Sequence, residues 1–481
     1  MCPSSERLPT HWRVDAGRLA ANNSVPLRLC MASLLHRFVS NPHDRDILGL
    51  AVPALAGLAA DPLVSLVDTA FVGQLGRLPL AALGINASVF SMTFVIFNFL
   101  AYGTTPRIGR AVGRGDRTAA GRVAIRVLVL AILAGVVALA LLQAFAEPIL
   151  RVMGATGNVL EPALTYLRIR ACAGPAVLLI TAGNGVFRGY QDTRTPMRLT
   201  VAFNIVNALL DPLLIFGFGW GLTGAAVATV GAQWGGAIAF WTVLLYLRRH
   251  ELGIELAWPR LRTLIPFLRV GLDLLVRTAA LVGTMTLATA MAARVGVTAV
   301  AAHQVAAQLW LFLALVVDAL AVAAQALVAK HMGAGRPQVA RTVANRLLAW
   351  GAGVGVMLGL GFAALQPVLP GFFTDDAATQ AAVWAVFPFV ALLQPLNGLV
   401  FVWDGIYMGA EDFRYLAGAM LLSAGSAATV LLLVPTLGWG LAGVWWGIAT
   451  LMGVRLLTLA LPYLRGRLFP SAVSSSDARS A

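Results

Sequence analysis

Charge is what this 481-residue sequence has least of. Only 12% of its residues are Asp, Glu, Lys or Arg, against roughly 25% in an average globular chain. Lysine is nearly missing: of 35 basic residues one is Lys330, leaving 34 arginines. Hydrophobic residues make up 59%, and the mean hydropathy is +0.81. A soluble chain this long would form several domains, and there is too little polar side chain here to coat them. A soluble enzyme, a nucleic-acid binder and a disordered scaffold are excluded. Cysteine is also scarce. Cys2, Cys30 and Cys172 have no metal-ligand spacing and no evident pairing, so no structural disulfide is expected. No GxxxxGK[ST] motif follows a strand, and neither a Ser/His/Asp set nor a metal-ligand cluster is present. Nothing therefore supports ATP hydrolysis, catalysis or a bound cofactor. The composition is that of a polytopic membrane protein.

A membrane-crossing helix needs about 20 mostly apolar residues. Cutting the chain at charged and Gly/Pro-rich segments gives twelve such stretches, near 47–73, 80–105, 122–145, 162–188, 197–217, 222–247, 268–292, 298–329, 342–366, 379–408, 414–434 and 441–464. Residues 1–45 are polar, contain no signal-peptide core, and are expected to be a disordered extension, as is the tail 466–481. Between them lie a first six-helix lobe over 46–250, a linker over 251–267 and a second lobe over 268–465. The net charge of +14 falls in the short connections. Arg107, Arg110, Arg114, Arg117, Arg194, Arg198, Arg248, Arg249, Arg260, Arg262, Lys330, Arg336, Arg341 and Arg414 mark one side, and little beyond Arg77, Arg151 and Arg294 marks the other. Positive charge stays inside, so both termini are expected in the cytoplasm of a cell whose plasma (inner) membrane holds the chain, as a monomer.

The two halves resemble each other at an offset of 220. Gly76 matches Gly296, and Gly113-Arg-Gly-Asp116 matches Gly333-Ala-Gly-Arg336. Asn184-Gly-Val-Phe-Arg-Gly-Tyr-Gln-Asp-Thr-Arg194 matches Asp404-Gly-Ile-Tyr-Met-Gly-Ala-Glu-Asp-Phe-Arg414, and Gly219–Gly224 matches Gly438–Gly443 at offset 219. Six spans per half return the chain to the same side, so the repeat is parallel, about an axis along the membrane normal. A duplicated bundle suits alternating access and small-molecule transport better than anchoring.

Charged groups at bilayer depth are expensive and are functional candidates by default. Asp68, late in the first span, and Asp211, late in the fifth, should sit at one level. Asn207 lies one turn before Asp211, and Tyr166 and Thr229 enter from the fourth and sixth spans. Two carboxylates in low dielectric cannot both ionise cheaply, so the pair is expected to take up a proton or a Na⁺ ion. The alternative is that both merely hydrogen-bond kinked helices. The second half carries Ala288 and Val430 at the matching positions, confining the site to the first half. Asp318 in the eighth span is either a second site or a packed, hydrogen-bonded acid. Asp61 is expected to bond backbone in preference to lining the same bundle as Asp68, Asp404 to be structural, Asp273 and Arg277 to neutralise each other at i, i+4, and Arg168 and Arg170 to snorkel or pair with an acid. His303 is expected to pack. Aromatic and Met residues such as Phe90, Met92, Trp310 and Trp403 could line an adaptable apolar cavity.

The segments VDTAFVGQLG, GRAVGRGD, GVFRGYQDTRTP and NALLDPLLIFGFGWGLTGAAVAT together resemble the multidrug and toxic compound extrusion (MATE) family, in its DNA-damage-inducible-F-type branch, over about 45–465. The resemblance implies a V-shaped pair of six-helix lobes and export of drugs, often cationic, against inward flow of protons or Na⁺. It maps the family's cation site onto Asp68, Asn207, Asp211 and Thr229, with Tyr166 and Asn184 as neighbours. Thr181 stands one turn before Asn184 where relatives can carry a second Asn, and the second lobe lacks the acids of sodium-linked relatives. A lipid-linked oligosaccharide flippase of the same superfamily is the alternative, expected to need a more basic groove. A channel, which requires a continuous polar path, is a more distant one.

Overall fold

A computed structural model describes residues 41–373 and 375–469. Residues 1–40 of the extension expected to be disordered and 470–481 of the expected tail lie outside the described residues, and Asp44 and Arg45 already belong to the first helix. The described chain forms twelve spans: α1 (Asp44–Gly73), α2 (Arg77–Gly113), α3 (Arg117–Ala144), α4 (Gly157–Ala171 and Gly174–Gly189), α5 (Arg194–Gly217), α6 (Gly221–Leu247), α7 (Ile265–Val295), α8 (Val297–Gly333), α9 (Pro337–Leu365), α10 (Ala377–Leu392 and Gln394–Gly409), α11 (Phe413–Leu437) and α12 (Gly440–Leu464). Nine are single helices, and α4 and α10 are bent pairs, all apolar and long enough to cross a bilayer. The remaining helix, α7, has 31 residues and reaches about 46 Å at 1.5 Å per residue, more than the ~30 Å hydrocarbon core. No strand occurs among the described residues. The fold is all-α with twelve spans, as expected. α2 and α8 outrun the expected ends, because Arg107, Arg110 and Lys330 ride on the helices rather than in loops.

The backbone repeats as the sequence does. Positive φ at Gly76, Gly115 and Gln191 recurs at Gly296, Gly335 and Glu411, each 220 residues on, and Gly219 and Gly221 are matched by Gly438 and Gly440. The bends in α4 and α10 measure 47° and 48°. Pro175 and Pro395, again 220 apart, follow the two breaks. Each lacks an amide N–H, and its ring excludes the carbonyl four residues back, so the helix cannot run through. Even an ion pair is duplicated: Asp192 meets Arg248 at 2.6 Å and Asp412 meets Arg467 at 3.2 Å.

The halves join where the ends of α2 and α8 cross. A Cβ added to Gly113 would lie 2.0 Å from the Lys330 carbonyl oxygen, and one on Gly333 2.2 Å from that of Arg110. Lys330 and Gly333 are the repeat mates of Arg110 and Gly113, so the contact is self-reciprocal, as across a twofold axis. Around it, Gln191 Nε2 donates to the Ala326 carbonyl at 2.9 Å and Gln325 Nε2 to that of Tyr102 at 2.7 Å. Arg110 donates to the Ala410 carbonyl and lies 3.5 Å from the Glu411 carboxylate. All these contacts lie at the end carrying the arginine-rich turns. Toward the other end each half closes on its own core. There α2 packs on α4 through Ala82, Val89, Ala163 and Leu167, and α8 packs on α10 through Ala302, Leu309, Val383 and Phe387. The connection after α6 packs on the first half, with Leu252 and Ile254 buried and Tyr190 donating to the Leu252 carbonyl at 2.6 Å.

Candidate functional site

Polar side chains in the first half line a cavity of about 340 Å³. α1 supplies Asp61 and Asp68, α4 Tyr166 and Arg170, α5 Asn204 and Asn207, and α6 Thr229 and Gln233. α1 and α5 run parallel, and both carry their polar groups seven residues apart, Asp61 and Asp68 opposite Asn204 and Asp211. Seven residues are about two turns, so each helix presents its pair on one face. The result is two rungs. On one, Asn204 Nδ2 donates to Asp61 Oδ1 at 2.7 Å. On the other, Asn207 Nδ2 donates to both Asp68 Oδ1, at 3.0 Å, and Asp211 Oδ2, at 3.2 Å.

That second rung gathers Asp68, Asn207 and Asp211 on one nitrogen. Asp211 is fully buried, and its Oδ1, like the Oδ1 of Asn207, is buried without a hydrogen-bond partner. A buried unpaired oxygen costs about 1–3 kcal/mol, and these two acceptors stand side by side with no donor of the protein's own among the described residues. Thr229 gives its hydroxyl proton to the Ala225 carbonyl of its own helix at 2.8 Å, which turns its lone pairs outward. Tyr166 is buried in the wall. Arg170 donates to Gln233 Oε1 at 2.8 Å and sits over the Phe90 ring, 4.9 Å from its centroid.

Asn184 stands elsewhere. It lines a second cavity of about 110 Å³ with Gly57, Arg188, Thr193 and Thr200, and that cavity meets the first only through Asp61, which lines both. Asp318 is in the other half, half-buried on α8, outside the chamber. Three further expectations need correcting. Asp61 bonds the Asn204 side chain rather than backbone. Arg277 turns away from Asp273 and donates to Asp404, which also accepts from Arg455 with the same oxygen. Asp404 and Arg455 are both almost fully buried, and a buried carboxylate demands charged partners more strongly than an accessible i, i+4 pair does. Arg170 pairs with an amide rather than an acid. His303 packs as expected, its ring 5.9 Å from that of Trp445 and its Nε2 3.2 Å from the Thr289 hydroxyl. The apolar residues do not form one cavity: Phe90 lines the polar chamber, Met92 is exposed, and Trp310 and Trp403 are buried.

Sequence reasoning missed the Asp61–Asn204 rung and the Arg170–Gln233 contact. The signal for the first was the shared seven-residue spacing on two parallel helices.

Two repeated six-helix bundles joined at one end, with polar groups sunk in an apolar scaffold, define a multi-pass membrane transport protein. The MatE family model matches residues 53–213 and 274–433, one block in each half. The chain belongs to the multidrug and toxic compound extrusion (MATE) family, whose members are drug and toxin efflux transporters rather than enzymes. It is 37% identical to Protein DETOXIFICATION 44, chloroplastic, of Arabidopsis thaliana, over 86% of this chain and 80% of that one. It is 27% identical to DNA damage-inducible protein F of Escherichia coli K12, over 91% and 96%, in line with the branch expected. Among solved structures it is similar to a MATE protein crystallised in a bent conformation, with a TM-score of 0.82 at 22% identity, covering 92% of this chain and 98% of the other. That likeness speaks for the fold alone.

Proposed function

We propose that this protein exports amphipathic, often cationic small molecules in exchange for protons or Na⁺ by alternating access. It would sit in a plasma (inner) membrane with its arginine-rich end and both termini in the cytoplasm, as a monomer. The observation that carries the reading is the second rung: Asp68 and Asp211 share the Asn207 amide, with buried oxygens unpartnered. In this account Asp68, Asn207, Asp211 and Thr229 hold the coupling ion and Tyr166 closes the wall. Asn184 and Asp318 act from outside that chamber, in the neighbouring cavity and the second half. Coupling requires that the ion and the exported molecule favour different states or compete for one. With the halves joined at the arginine-rich end, the chamber takes its ion from the opposite side. Uptake then alters the α1–α5 contact and releases the exported molecule.

The test is export of a fluorescent cationic dye from proteoliposomes under an imposed pH gradient, first without and then with Na⁺. Wild-type protein should export, and Asp68→Asn should insert and fold yet lose gradient-driven export. Normal export by Asp68→Asn would remove the site assignment. Failure of either gradient to move any of several dyes would remove the drug-efflux reading.

A further inference from the structure

The chamber contains a cation of its own. Arg170 is the one basic side chain lining it, beside Asp61 and Asp68. The guanidinium is fixed twice, by its hydrogen bond to Gln233 and by its seat over Phe90. It forms no ion pair at contact distance among the described residues, yet it lines the same cavity as Asp61 and Asp68. The repeat sharpens the observation. The positions 220 or 219 residues on from Asp68, Asp211 and Arg170 are Ala288, Val430 and Val390. The half that holds the carboxylates holds the arginine, and the other half holds none of the three.

We propose that Arg170 is a tethered counter-cation that restricts the chamber to protons and excludes Na⁺. This rests on the antiport reading above and names its coupling ion. The reason lies in what each ion needs. A proton adds to a single carboxylate oxygen as a covalent O–H and asks for no further ligands. A sodium ion must gather several oxygens at once, as hard cations do, and is held only by the negative excess of the whole chamber. The residues present could otherwise supply that excess and those oxygens: the Asp61 and Asp68 carboxylates, the Asn204 and Asn207 amides and the Thr229 hydroxyl in the lining, with the Asp211 carboxylate behind Asn207. Arg170 removes one unit of the excess from inside the wall, and at the short separations of a shared cavity one charge alters ion affinity by on the order of ten- to a hundredfold.

Purified full-length wild type, Arg170→Gln, Arg170→Lys and Asp68→Asn would be compared in two ways. The first is Na⁺ binding by titration calorimetry of the detergent-solubilised protein at constant pH. The second is dye export from proteoliposomes driven by a pH gradient alone or a Na⁺ gradient alone. Wild type and Arg170→Lys should bind no Na⁺ in the millimolar range and respond only to protons. Arg170→Gln should gain Na⁺ binding at least about tenfold tighter and a Na⁺-driven component of export, and Asp68→Asn should lose every gradient response. Na⁺ binding or Na⁺-driven export by wild type overturns the proposal, even if Arg170→Gln does not fold. So does a folded Arg170→Gln that stays blind to Na⁺. If no dye moves under any gradient the antiport reading falls, while the calorimetry still decides the role of Arg170.

Discussion

Gln191 and Glu411, 220 residues apart, both hold a left-handed backbone, with φ of 64° and 62°. They are the two non-glycine residues among those described that do so. Each turns the chain at the end of a bent span, and each sends its side chain to the other half: Gln191 to the Ala326 carbonyl and Glu411 to Arg110. Left-handed backbone disfavours a side chain, and a β-branched one most of all. Gln191→Ile should therefore lower stability by about 1–2 kcal/mol. Gln191→Gly, which relieves the backbone while losing one hydrogen bond, should stay within about 1 kcal/mol of wild type. Thermal unfolding in detergent distinguishes the two, and equal melting temperatures would contradict the turn.

Gly113 and Gly333 have no room for a side chain, since each Cβ position lies against a carbonyl oxygen of the opposite half. Gly113→Val should push the ends of α2 and α8 apart at a cost of about 1–3 kcal/mol and populate forms parted at the arginine-rich end. Spin labels placed on Arg114 and Arg336 positions would report a longer separation. An unchanged distance distribution would mean the contact does not hold the halves together.

Asp404 is held by two guanidiniums, the buried one of Arg455 and the half-buried one of Arg277. Removing the acid strands two positive charges inside the second half. Asp404→Ala should lose about 3–5 kcal/mol and reach the membrane at much reduced yield. Asp404→Glu, which keeps the charge, should recover most of that yield. If Asp404→Ala expressed and melted like wild type, the network would have no structural weight.

Asp192 lies in the turn after α4. Burial opposes its charge, but hydrogen bonds from Thr195 and Arg248 outweigh that and hold the carboxyl below its ordinary value. A group whose folded value is depressed stabilises the fold above the unfolded value and loses that stabilisation as pH falls through the folded one. Asp192→Asn should therefore destabilise by about 1–2 kcal/mol at pH 7, the hydrogen bonds being only partly buried. The gap between variant and wild type should begin to narrow below about pH 4 and close only as pH falls through the folded value, checked by melting curves at pH 7, at pH 3.5 and at still lower pH.

The twelve spans were legible because apolar length is nearly the whole signal for a membrane helix. The repeat was legible because glycines with positive φ cannot drift freely. Asp68, Asn207 and Asp211 could be brought together in advance, since span direction and helix period fix their depth and face. Asp404 and Arg277 could not, because their pairing joins α7 to α10 and depends on which faces those helices present. The Asp273–Arg277 spacing was a local pattern that burial overrode. Asn184, a neighbour of the site by resemblance, lines the adjoining cavity. Homologous position along a helix gives depth only roughly, and a bend of 47° between Ala171 and Gly174 shifts everything after it.

The crossing of α2 and α8 has a mechanical meaning. From Gly109, where the halves touch, α2 runs 32 residues back to Arg77, about 48 Å at 1.5 Å per residue. The fulcrum thus sits near one tip of a long beam. A tilt of about 10° at that point carries the far tip through roughly 8 Å, while the atoms at the fulcrum move by a fraction of that. Under the alternating-access proposal, sub-ångström repacking around a pair of glycines would be geared up into a displacement wide enough to admit or discharge a drug-sized molecule.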